Sequence, residues 1–135
     1  MSELELDDGV RVLLETRLDS FEKLEIARAL RGSGGMTPAA LEVACRLSAE
    51  TVQEVLTSLQ QVALVEPDPG RSEVVRLGSA SRDPRFEAVM QLYATDRPRV
   101  LSVLSTLAVE RIRHMAAQVF TDAIVVKHKR GDDGS

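Results

Sequence analysis

Apolar residues recur at helical spacing along most of this chain and change to an extended pattern only once, near its middle. Val10, Leu13, Leu14 and Leu18 follow the acidic pair Asp7 and Asp8 and predict a first helix over 8–18. Asp19 and Ser20 then offer cap oxygens, with Glu22 three residues after Asp19. A second helix is expected there, with Phe21, Leu24, Ala27 and Leu30 on its apolar face and the glycines from Gly32 to Gly35 at its end.

The central segment carries the densest local signals. Thr37 before Pro38 starts a short helix to about Arg46, because the proline ring presets the backbone angle and its missing N–H would have had no partner. Leu47 falls in a turn and Ser48 caps the next helix. There Val52, Val55, Leu56 and Leu59 form an inward stripe and leave Glu50, Gln53, Glu54, Thr57 and Gln61 outward. The chain then reads as extended through Leu64 and Val65, turns at Pro67 to Gly70, and extends again from Ser72 to Leu77.

Further on, Asp83 and Pro84 repeat the cap-plus-proline start, and Phe86, Val89, Met90 and Tyr93 make an apolar face with the Tyr93 hydroxyl at its edge. Pro98 requires a new helix near Arg97 or a kink. Two stripes follow, one of Val100, Leu101, Leu104 and Leu107, the other of Ile112, Ala116, Val119 and Ala123. The polar end from Lys127 to Ser135 is expected to be a mobile charged tail. The fold class read from this pattern is mainly α with a small β-hairpin. It forms a single domain over 1–126, with a core at about 20–77 and flanking helices at about 8–18 and 84–125.

The order of residues 37–77 resembles the winged-helix domains of bacterial transcription regulators of the MarR type. The likeness rests on two capped helices, a hairpin, and the run from Leu56 to Glu66 (LTSLQQVALVE). The whole chain is similar to a set of small bacterial winged-helix proteins through DSFEKLE (Asp19 to Glu25), Tyr93 four residues before Arg97, and Phe120 with Asp122 and Ala123. That set brings no activity with it. The resemblance implies a winged helix-turn-helix in which the helix after Ser48 is the recognition helix. Ala63 stands where such domains often carry glycine, and alanine resists the left-handed backbone.

Composition narrows the chemistry. The chain has 135 residues, 44 % of them hydrophobic but only 3 % aromatic, as a core of packed aliphatic helices allows. Cys45 is the one cysteine, which excludes an internal disulfide and fits the cytoplasm. The chain opens on Glu3, Glu5, Asp7 and Asp8 rather than a basic start with an apolar run, so no signal peptide or membrane span is expected. Two histidines and one cysteine make no nucleophile–base pair or metal set, and the glycines after the second helix lack the strand and lysine of a phosphate loop. No enzyme activity, cofactor or metal is therefore expected.

Charge bears on the partner. Up to Gly70 there are 13 acidic against 6 basic residues, a net −7; from Arg71 there are 8 against 11, a net +3. The outward face of the helix after Ser48 carries Glu50 and Glu54 and no cation, whereas duplex DNA draws its affinity from Lys and Arg. Arg46, Arg71 and Arg76 are the candidates for touching a nucleic-acid backbone from the flanks. Lys127, Lys129 and Arg130 form a further basic group. The favoured reading is a regulatory module acting through protein contacts, with Glu50, Gln53, Glu54, Thr57 and Gln61 as the partner face. A DNA-binding transcriptional regulator is the alternative. Pairing of two copies through Val100, Leu104, Ile112 and Val119 makes a homodimer the expected state.

Overall fold

The computed structural model describes residues 8–133, with side chains as far as Val119. Within these it contains six α-helices and a two-stranded antiparallel hairpin, in the order α1 (Asp8–Thr16), α2 (Phe21–Ser33), α3 (Pro38–Cys45), α4 (Ala49–Gln61), β1 (Val65–Pro67), β2 (Val75–Leu77), α5 (Pro84–Thr95) and α6 (Arg97–Asp133). The fold is mainly helical, as the apolar spacing predicts. None of the described helices is long and apolar enough to cross a membrane. The chain divides into two compact units, Met1–Leu104 and Ser105–Ser135, and α6 runs from the first into the described part of the second.

Cap chemistry sets the helix starts in the first unit. The Ser20 hydroxyl accepts from the Lys23 amide at 3.2 Å, Thr37 from Ala40 at 3.1 Å, and Ser48 from Thr51 at 3.1 Å. Each satisfies one of the amide donors that a helix start leaves open. Asp83 does the same for α5 through the Arg85 amide at 2.9 Å. The Arg85 guanidinium beside it, and then that amide, hold the Asp83 carboxyl down to about 2. At the other end of α2, Gly34 takes a left-handed φ of 77° and returns its N–H to the Leu30 carbonyl. Pro98 marks a new helix: α5 ends at Thr95, Asp96 intervenes, and α6 begins at Arg97.

Helix α2 is the centre of this unit. It packs against α3, α4, α5 and β2, with Leu24, Ile26, Ala27 and Leu30 buried. Phe21, expected on that inner face, is instead 39 % exposed, because it begins the helix and its side chain clears the core. Val52, Val55, Leu56 and Leu59 of α4 are all buried, as their spacing requires. Helix α1 packs on α5 through Val10, Leu13 and Leu14. Strand β2 pairs with β1 along Val65–Leu77, Glu66–Arg76 and Pro67–Val75, and on its other side exchanges backbone bonds of 2.8 and 2.9 Å with Met36. The short segment between α2 and α3 thus lies as a third line beside the hairpin.

Among the described residues one charged side chain is buried in this core. Glu25 on α2 accepts from the Tyr93 hydroxyl at 2.7 Å and from Arg97 at 3.0 Å, with the Arg28 guanidinium 3.3 Å away. Arg97 also lies over the Tyr93 ring, 4.7 Å from its centroid. The Tyr93 hydroxyl is therefore an internal donor and not an edge group, a correction to the sequence reading: the side chain is 1 % exposed. Burial, and then the Glu25 carboxylate, push the Tyr93 phenol well above its usual range. These contacts fasten α5 and the start of α6 to α2.

Ala63 enters the hairpin with φ 62°, the left-handed conformation in which winged helices often place glycine. Gly78 lies beneath it, and a Cβ there would sit 2.5 Å from the Ala63 carbonyl oxygen.

Two expectations follow for unfolding in urea at neutral pH. Tyr93→Phe removes a hydrogen bond to a charged acceptor and should cost about 1.5–3 kcal/mol, whereas Arg97→Ala, at a half-exposed site, should cost less than about 1 kcal/mol. Equal losses would show that the phenol is not the main tie. Ala63→Gly should gain about 0.5–1 kcal/mol, relief of left-handed strain outweighing the added chain entropy; a loss would show that the alanine methyl contributes more through packing.

Candidate functional site

The outward face of α4 is where the sequence places a partner, and Glu50, Gln53, Glu54, Thr57 and Gln61 are all exposed. Their setting follows from the inward stripe, which rotates them away from α2. Glu50 stands in the first turn, where a carboxylate is favoured by the amide dipoles, and Glu54 lies one turn on. Neither has an ion-pair partner among the described residues. Thr57 turns its hydroxyl back to the Gln53 carbonyl at 2.9 Å and so offers only its oxygen lone pairs outward.

Both flanks of this face are acidic. Toward α2 a hollow of about 410 Å³ has Glu22 and Glu54 on its walls, together with Lys23, whose charge is met by Asp19 at 2.6 Å. Toward the hairpin a groove of about 690 Å³ runs between the start of α3, α4 and the turn, with Glu42, Asp68 and Glu73 on its walls. Sequence reading missed Glu42 and Glu73, which come together only when the hairpin folds back along α4.

The three candidate phosphate contacts are scattered and mostly neutralised. Arg71 stands in the groove wall, but it pairs with Asp68 at 2.8 Å and donates to the Gly34 carbonyl at 3.3 Å. Gly35 makes room for it, since a Cβ there would lie 2.7 Å from the guanidinium. The glycines after α2 thus cap a helix and seat an arginine. Arg76 pairs across the strands with Glu66 at 2.9 Å. Arg46 ends α3 in a left-handed conformation with φ 57°, exposed and without an ion pair among the described residues. Among the described residues the structure gathers carboxylates around α4 and leaves one arginine beside it, Arg46, without an ion pair.

The candidate dimer residues separate into two groups. Val100 and Leu104 are buried in the first unit, which corrects their assignment to a contact between copies: their own chain already covers them. Ile112 and Val119 in the second unit are exposed at 65 % and 67 %, with Val109 and Met115 exposed beside them. The helical backbone continues past Val126 to Asp133. The side chains of Lys127, Lys129 and Arg130, like those of Phe120, Asp122 and Ala123, lie outside the described residues.

Burial pushes the Cys45 thiol up, disfavouring the thiolate that nucleophilic or metal chemistry needs. Among the described residues no three His, Cys, Asp or Glu side chains are grouped to hold a metal ion. No protein-family model matches the chain, and no curated protein matches it.

Proposed function

We propose that this chain is a non-enzymatic regulatory module of winged-helix type whose α4 face meets a basic protein partner. The observation that carries the reading is the charge of that face: Glu50 and Glu54 outward, and no cation on the helix. The order α2, the Met36 pairing, α3, α4 and hairpin supports the winged-helix assignment. A phosphate-lined groove would meet α4 with repulsion, since the cations nearest it on the hairpin are spent on Asp68 and Glu66. The lone, partly buried Cys45 fits the reducing cytoplasm as the place of action.

The same reading takes the module as a homodimer through the second unit. Val109, Ile112, Met115, Ala116 and Val119 fall on one side of α6, a stripe of the width that buries against another helix. A second copy presents the identical stripe, and a two-fold axis makes the contact self-complementary.

Two measurements test these statements. Anisotropy on a mixed-sequence duplex at physiological salt should give a dissociation constant weaker than about 10⁻⁶ M, in the nonspecific range. Glu50→Lys with Glu54→Lys should tighten it and steepen the salt slope by about one to two phosphate contacts, with little change in unfolding. A wild-type constant below about 10⁻⁸ M with a steep salt slope would establish the DNA-binding alternative. Light scattering at micromolar concentration should give the mass of two chains, and Ile112→Asp with Val119→Asp should return it to one. A monomeric wild-type protein would contradict the dimer.

A further inference from the structure

The groove on the hairpin side of α4 is lined by both apolar and charged side chains. Its floor is apolar, built from Pro38, Leu56, Val74 and Val75, and the amides of Gln53 and Gln60 stand along one wall. Glu42 and Glu73 border it and have no ion-pair partner among the described residues, while Asp68 is already neutralised by Arg71. At about 690 Å³ it is of the size that holds a ligand or a few side chains of a partner.

Charge complementarity selects the occupant. Two unneutralised carboxylates above an apolar floor repel phosphate and carboxylate and attract ammonium or guanidinium. The floor itself rewards an apolar side chain, and side-chain amides can hydrogen-bond a peptide backbone on either of its polar groups. We propose that this groove docks a protein segment in which an apolar side chain lies beside Lys or Arg. The inference rests on the acidic-face reading and adds to it the place where the partner's anchoring residue sits.

The test uses amide chemical shifts of the full chain titrated with short capped peptides of alternating lysine and leucine, lysine and serine, or glutamate and leucine. The lysine–leucine peptide should move Gln53, Leu56 and Val74, the lysine–serine peptide should bind more weakly, and the glutamate–leucine peptide should not bind. Glu42→Gln with Glu73→Gln should weaken the lysine–leucine peptide by about three- to tenfold, as expected for losing two partly screened charge pairs. Glu73→Gly is a second variant that removes one carboxylate and suits the left-handed backbone there, φ 63°, so folding is preserved. Unchanged affinity in both variants would overturn the groove. Shifts confined to Glu50 and Glu54 would also overturn it while leaving the acidic-face reading in place, and binding of all three peptides alike would overturn it as nonspecific adhesion. The acidic-face reading itself falls on a different result, tight DNA binding by the wild-type chain.

Discussion

The Glu25 carboxylate is the constraint around which the first unit is organised. A carboxylate taken out of water is costly unless it is fully partnered, and here the partners come from α5 and from the start of α6. Helix α5 must therefore sit in the register that brings Tyr93 to Glu25, 68 residues away in sequence. Arg31 adds a second tie from α2 to α5 through Glu87 on the outside, where solvent weakens it. Because α2 also packs on α3, α4 and β2, the same helix that holds the C-terminal elements positions the candidate partner face.

The chemistry of that face follows from how the hairpin is built. Arg71 is drawn into a seat over Gly35 and held by Asp68, and Arg76 is matched across the strands by Glu66. Each pair is exposed and worth little to stability, but together they neutralise the hairpin cations nearest α4. The carboxylates left over, Glu42, Glu50, Glu54 and Glu73, then set the sign of the surface. Internal pairing of the basic residues shapes this face as much as the acidity of α4 does.

Local signals in the sequence were enough to place most of the fold. The cap residues Ser20, Thr37, Ser48 and Asp83 mark the helix starts because capping depends on residues only a few positions apart. The α4 stripe likewise separates the buried residues from the exposed ones. Periodicity does not say what covers a stripe: Val100 and Leu104 look like Ile112 and Val119 in sequence, yet the first pair is buried and the second exposed. Nor does it show contacts between distant positions, so Tyr93 is misplaced to an edge, Glu25 passes unnoticed, and the groove of Glu42 and Glu73 has no local sign. Residues of the DSFEKLE run and Tyr93 with Arg97 do meet in the fold: they supply the Ser20 cap, the Asp19–Lys23 pair and the Glu25 cluster.

We propose that the exposed face of α4 is a protein surface and not a reader of DNA. Its most direct test is the amide spectrum of the full chain titrated with a mixed-sequence duplex at physiological salt, following the residues of α4 and the hairpin. The amides from Glu50 to Gln61 should stay in place as duplex is added. Saturable shifts along α4 and through Arg71 to Arg76 would contradict it.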